Sequence, residues 1–237
     1  MGQVSDNYAK IAERVRAACG RSGRDPAEVT VIAVSKTKPD EMVEELAAAG
    51  VRDFGENKPQ ELMRKHDQIL PDASLRWHMI GNIQTNKVKM FVGRACLVHS
   101  VPDLHVAAAI SKEAVKRSVR VPVLIEVNIA GEETKHGLVS DDLRAATESL
   151  VREAALLPGL EIRGLMAIAP PVEDAEENRM YFRQLRQLRD QIRDLHVENA
   201  PMTELSMGMT GDFEVAVEEG ATYIRVGTAI FGERVYA

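Results

Sequence analysis

Along this chain, short apolar segments and amphipathic helical segments alternate eight times, and that alternation leaves few folds open. The apolar segments are VTVIAVSK, VRDFGEN, RWHMIGN, CLVHSV, VPVLIEVNIA, EIRGLMAI, TELSMGMT and TYIRVGTAIFG. Most are rich in Val, Ile or Leu and end near Gly, Asn, Ser or Thr, as strands do. Between them, DEMVEELAAAG places Met42, Val43, Leu46 and Ala49 at helical spacing and closes on Gly50. PDLHVAAAISKEAVKRS and SDDLRAATESLVREAALLPG repeat the pattern. EENRMYFRQLRQLRDQIRDL puts Tyr181, Leu185, Leu188 and Ile192 on one stripe, with its arginines read as the solvated face of a surface helix. Asp212 to Glu219 read as a short helix closed by Gly220, and a further helix, Asn7 to Cys19, precedes the first strand.

Strands that alternate with helices are parallel and joined by right-handed crossovers. Eight such units in 237 residues match an α/β fold of the (β/α)8 barrel type, with an extra N-terminal helix and residues 1–237 as one domain. A doubly wound open sheet is the alternative, but VIAVSKTKP lacks the Gly-rich turn that follows a first Rossmann strand. Hydrophobic residues make up 45% of the chain and aromatics only 4%, which suits an aliphatic core between sheet and helices. The formal charge of −6 argues against a broad nucleic-acid surface. No apolar run approaches the length of a membrane span, and MGQVSDNYAKIAERVRAAC lacks a signal-peptide core, so a cytoplasmic protein is expected. Cys19 and Cys96 lack metal-site spacing and read as reduced, inert thiols.

In such a barrel, function sits at the C-terminal ends of the strands. Those ends read Lys36, Asn57, Gly81-Asn82, Ser100, Asn128, Ala167, Ser206-Met207-Gly208 and Gly227-Thr228. The loops after the seventh and eighth strands often hold a phosphate on backbone N–H groups and hydroxyls, which selects Ser206, Gly208, Gly227 and Thr228. Lys36 lies across the same mouth, and an amine in a positive, partly desolvated field can form a Schiff base with a carbonyl. Lys38 shares the parity of Lys36, and spacing does not choose between them. Arg225 and Gly227 face the same way on the eighth strand. Inside a barrel, Arg225 either forms a buried salt bridge, for example with Glu126 or Glu56, or aims a donor at a bound ring.

Together these segments resemble the pyridoxal phosphate homeostasis protein family. The resemblance rests on AVSKTKP, FGENKPQE, WHMIGNIQTNK, HSVPDL, EVNIAGEETKHG, GLMAI and LSMGMTGDFEVAVEEGATYIRVGTAIFG, which together span nearly the whole chain. It implies a barrel similar to the N-terminal domain of alanine racemases, with Lys36 holding pyridoxal 5′-phosphate (PLP) as an internal aldimine. It further implies Ser206, Gly227 and Thr228 at the phosphate, Arg225 at the pyridine nitrogen and Asn57 in the cofactor pocket. Asn82, Thr210 and Gly211 depart from the family pattern.

An arginine at the pyridine nitrogen cannot take up a proton from it and limits carbanion stabilisation. A racemase of the related type also takes its second base from a further domain, and only five residues follow Gly232. His78 is a candidate second base but reads better as structural, and Tyr8, Tyr181, Tyr223 and Tyr236 fall on helices or away from strand ends. The expectation is a PLP-binding homeostasis protein without dedicated turnover, with apo-PLP enzymes as receivers and no nucleic-acid or membrane partner. An amino-acid racemase is the alternative; a Schiff-base aldolase accounts for the lysine and the phosphate site but not for Arg225. Gln84, Asn86, Lys87 and Lys89 form a polar cluster that either binds anions or starts a solvated helix.

Overall fold

Every one of the eight apolar segments forms a strand, and every strand pairs in parallel with its sequence neighbours. The computed structural model describes residues 2–69, 74–131 and 136–233. The strands are β1 Thr30–Val34, β2 Asp53–Glu56, β3 Arg76–Met79, β4 Ala95–Val101, β5 Val121–Glu126, β6 Leu160–Met166, β7 Glu204–Ser206 and β8 Tyr223–Val226. They close in sequence order, with β1 against β8 through pairs such as Ile32 with Arg225. The helices are α1 Gln3–Ser22, α2 Asp40–Ala48, α3 Pro59–Gln68, α4 Leu104–Lys116, α5 Leu143–Ala155, α6 Arg179–Arg193, α7 Phe213–Glu218 and α8 Thr228–Phe231. The fold is the (β/α)8 barrel with a leading helix, and the doubly wound alternative is excluded by closure. Tyr236 lies outside the described residues.

Two apolar compartments result from strand parity. Most aliphatic side chains fill the layer between strands and helices, where Trp77 and Phe54 pack with ring centroids 5.5 Å apart. The interior of the barrel holds a much smaller apolar cluster of Leu97, Leu124 and Met166. Alongside it lie the buried polar side chains of His78, His99, Ser206 and Arg225.

The helices follow their sequence signals, with two differences. The buried stripe of α6 is Phe182, Leu185, Leu188 and Ile192, so Phe182 takes the place assigned to Tyr181, which is half-buried. Its arginines are not simply solvated: Arg179, Arg183 and Arg186 all donate to the nearly buried Glu219 after α7, at 2.9 to 3.1 Å. Arg189 is buried and donates to the Thr203 carbonyl. The leading helix α1 packs on α2, α7 and α8. Among the described residues, no helix is long and apolar enough to cross a membrane.

Candidate functional site

The turn that follows β1 has an unusual backbone at Thr37. Thr37 is held at φ 62°, a left-handed conformation that costs a β-branched residue roughly 1 kcal/mol or more. Hydrogen bonds on both sides maintain it. The Lys38 N–H donates to the Ser35 carbonyl at 3.0 Å, and the Thr37 N–H donates to Glu61 Oε1 at 2.7 Å. This turn sends the two lysines to different places. Lys38 Nζ donates to the carbonyls of Phe231, Gly232 and Glu233, at 3.2, 2.9 and 2.8 Å, closing the C-terminal end of α8. Lys36 is half-buried and lines a cavity of about 350 Å³ at the C-terminal mouth of the barrel.

Beneath this turn lies a buried ion pair that the sequence did not reveal. Lys65, on α3, is fully buried and donates to Glu56 Oε1 at 2.8 Å and to the Ser35 carbonyl at 2.6 Å. It also lies 3.0 Å from Glu61 Oε1. Ser35 Oγ donates to the same Glu56 oxygen at 2.7 Å. Burial pushes the Glu56 carboxyl upward, and Lys65 opposes that shift. The apolar stripe of α3 carried the signal: Lys65 falls between Leu62 and Ile69 at core spacing, where an ordinary solvated lysine does not belong.

The same cavity is lined by Arg225, Gly227 and Thr228 from the neighbouring β8 and its loop, joined by Met209, Thr210 and Gly211 from the loop after β7. Because α8 begins at Thr228, the N–H groups of Thr228 and Ala229 have no partner within the helix. Asn57 completes the wall beside Ile80. Its backbone is approached so closely by Gly81 that a Cβ there would come within 2.3 Å of the Asn57 carbonyl oxygen. Ser100 Oγ in turn donates to the Gly81 carbonyl at 2.6 Å. Two of the expected strand-end residues thus hold a third, rather than lining the cavity themselves.

Arg225 is fully buried inside the barrel and does not form the salt bridge considered from sequence. Its Nη1 donates to Ser206 Oγ at 2.6 Å and its Nη2 to the Ala167 carbonyl at 3.0 Å. Burial pushes its pKa down to about 10, partly offset by Glu126 and Asp212, so it remains a cation at neutral pH. A guanidinium has five N–H groups, and those left over are available to an acceptor in the cavity it lines. Ser206 was expected at the phosphate, but it is fully buried and its hydroxyl is engaged by Arg225 and by His99 Nδ1 at 2.8 Å. The hydroxyl that lines the cavity after β7 is that of Thr210. His78 is likewise buried beneath, between Asp53 and His99, and is not a lining residue.

The donor set fits a phosphorylated aldehyde. One primary amine, the hydroxyls of Thr210 and Thr228 and a buried guanidinium line one cavity, beside the first N–H groups of α8, which have no partner within that helix. The cavity at the C-terminal end of eight parallel strands, with a lysine after β1 and a Gly-Thr pair after β8, defines a barrel of the alanine racemase N-terminal class. The family model described as alanine racemase, N-terminal domain, matches residues 7–235. Within that class, the chain belongs to the pyridoxal phosphate homeostasis protein family. It is 42% identical to the pyridoxal phosphate homeostasis protein of Aquifex aeolicus over 231 residues, covering 98% of both chains. It is 43% identical to that of Pseudomonas aeruginosa over 236 residues, covering 100% of this chain and 98% of the relative. The solved structure of PipY from Synechococcus elongatus with PLP bound superposes with a TM-score of 0.78 at 37% identity, covering 94% of this chain and 100% of that one. An alanine racemase of Clostridium difficile, at 11% identity, shares the fold with a TM-score of 0.71, covering 98% of this chain and 57% of that one.

Proposed function

We propose that this chain binds PLP in the cavity at the barrel mouth and serves intracellular PLP homeostasis, holding the cofactor on Lys36 and releasing it to apo-PLP enzymes without dedicated turnover. The observation that carries this reading is the division between the lysines: Lys36 lines the cavity, while the ammonium of Lys38 is committed to three carbonyls. When bound, PLP supplies an electrophilic aldehyde carbon and a phosphate. The roles of the protein residues follow from position. Lys36 provides the amine. Thr228, Thr210 and the first-turn N–H groups of α8 provide donors for an anion, and Gly227 leaves the backbone open beside them. Asn57 walls the pocket, and Arg225 offers N–H groups to a ring nitrogen. Ser206 acts through Arg225 rather than on the phosphate. The names of the homologues and the PLP-bound relative support this reading.

A guanidinium facing a pyridine nitrogen favours its unprotonated form, which weakens the ring as an electron sink. That supports a carrier over a catalyst. The family model favours the second reading, amino-acid racemisation. One experiment decides between them. The protein loaded stoichiometrically with PLP is mixed with L-alanine in deuterium oxide and the α-proton is followed by NMR. Slow or absent exchange, with PLP passing intact to an apo-enzyme acceptor, is expected. Exchange or racemisation above about 1 per second overturns the carrier reading. A protein that develops no visible band with PLP overturns both.

A further inference from the structure

A line of buried polar side chains runs through the barrel from one end to the other. At the lower end, Asp53 borders a second cavity of about 280 Å³ together with Tyr8, Arg16 and Arg76. Asp53 Oδ1 lies 3.0 Å from His78 Nε2, and His78 Nδ1 lies 3.0 Å from His99 Nε2. His99 Nδ1 lies 2.8 Å from Ser206 Oγ, which accepts from Arg225 at the upper cavity. Side-chain hydrogen bonds therefore join the two cavities without a break. Parallel-barrel interiors are ordinarily filled by branched aliphatic side chains, so this column requires a reason.

Counting donors gives the column two self-consistent states. With His78 neutral, its Nε2–H donates to Asp53 and its Nδ1 must accept. His99 then carries its proton on Nε2, and its Nδ1 accepts the Ser206 O–H. With His78 protonated, both of its nitrogens donate, so His99 Nε2 must accept and its proton sits on Nδ1. That Nδ1–H now donates to Ser206 Oγ, whose own O–H turns away. One proton has been added, on His78. His99 still has one, on its other nitrogen, and Ser206 keeps its own. We propose that His78 and His99 are positioning residues of the cofactor site: a proton gained at His78 Nδ1, the nitrogen that faces His99, switches the His99 tautomer from Nε2–H to Nδ1–H and reverses the hydroxyl of Ser206 beneath Arg225. The part of this proposal that concerns the cofactor rests on the PLP reading above.

The surroundings assign the charge to His78. It faces Asp53 from β2, Cys96 and His99 from β4, Tyr223 from β8, and Arg76 on its own strand beyond Asp53. Burial pulls the His78 pKa down, but the Cys96 sulfur and the Asp53 carboxylate more than offset this and raise it to about 9. His99 faces His78, Arg225 and Tyr223, and burial together with those two cationic neighbours holds its pKa well below the ordinary value. The column therefore has one site for a proton, and it is the lower one.

Two-bond 1H–15N NMR of the cofactor-free, 15N-histidine-labelled protein reads both tautomers directly. The expected result is a His99 Nδ1–H tautomer at neutral pH that converts to Nε2–H at alkaline pH, with the same midpoint as the titration of His78. In His78→Gln, His99 should keep one tautomer throughout. A His99 that never changes tautomer, or that changes at a midpoint unrelated to His78, overturns the relay, and the wild-type protein alone suffices to show this. Adding PLP should move the His99 15N resonances, because Arg225 and His99 share the Ser206 oxygen. A relay that switches but does not respond to bound PLP overturns the positioning role. Failure of PLP to bind, read from the absence of its visible band, overturns the functional reading instead.

Discussion

Lys65 Nζ lies 2.6 Å from the carbonyl oxygen of Ser35, the residue immediately before Lys36. A fully buried ammonium thus supports the backbone from which the proposed cofactor lysine projects, and it does so while neutralising Glu56. Lys65→Met keeps most of the volume and removes the charge. It leaves Glu56 buried and unpaired, a loss of about 3–5 kcal/mol that urea unfolding will measure. Lys65→Met combined with Glu56→Gln should recover part of it, because no buried charge then lacks a partner. Both variants should bind PLP more weakly, since the Ser35–Thr37 turn loses a tether.

Lys36 and Lys38 should separate cleanly. After borohydride treatment of the PLP-loaded protein, peptide mapping should place the label on Lys36. Lys36→Ala should lose the visible band. Lys38→Met should keep it while losing about 1.5–3 kcal/mol of stability, the usual worth of hydrogen bonds to a charged group, because α8 loses its terminal contacts. A label on Lys38 alone would reverse the assignment.

Thr228→Val retains shape and removes one hydroxyl donor from the cavity wall. Losing a hydrogen bond to an anion should lower PLP affinity roughly ten- to hundredfold, as read by absorbance titration. Pyridoxal, which lacks the phosphate, should bind the wild type weakly and distinguish little between wild type and Thr228→Val. Equal affinity of the wild type for PLP and pyridoxal would remove the phosphate from this wall.

The histidine column predicts a stability optimum in pH. The folded pKa of His78 is raised to about 9 from 6.5, so its contribution is complete below pH 6.5 and is lost as pH rises toward 9. The folded pKa of His99 is depressed, so its contribution is present above pH 6.5 and is lost as pH falls below it. The two together place the maximum of the histidine-dependent part near pH 6.5. The unfolding free energy from urea titrations of the wild type, minus that of His78→Gln, should fall by about 2–3 kcal/mol between pH 6.5 and 9.5. A flat difference across that range would contradict the assigned charge.

The barrel was legible because its signal is repeated. Eight strands, most of them marked by branched aliphatics and a polar end, survive an error at any one of them. Of the candidate site residues, those at strand ends were legible as a group: Lys36, Asn57, Arg225, Gly227 and Thr228 all line one cavity. Other residues depended on parity and burial that a linear reading passes over. In CLVHSV, Leu97 and His99 share a face, which places His99 inside the barrel with Leu97, but a single histidine announces nothing about its partners. Lys65 interrupts an apolar stripe, a signal hidden by the ordinary expectation that lysine is solvated. Ser206 was placed at the phosphate because it ends its strand, yet its hydroxyl is taken from below by Arg225 and His99. Thr210, the fourth residue of the loop, reaches the cavity instead.

The polar column also bears on how the chain finds one arrangement among near-equals. Eight parallel strands of similar aliphatic content could pair in many neighbouring registers at similar energy, because Val, Ile and Leu pack tolerably against one another. A slip of one residue along β3 would exchange the two sides of the strand, turning Trp77 inward and His78 out among aliphatic helices. An imidazole stranded there without partners would cost about 1–3 kcal/mol, and Asp53 and His99 would each lose a partner as well. Because β2, β3, β4, β7 and β8 each contribute a link, a slip in any one of them breaks the line. The buried polar atoms act as a combination lock: they add little to the attraction between strands and much to the difference between the right pairing and its neighbours.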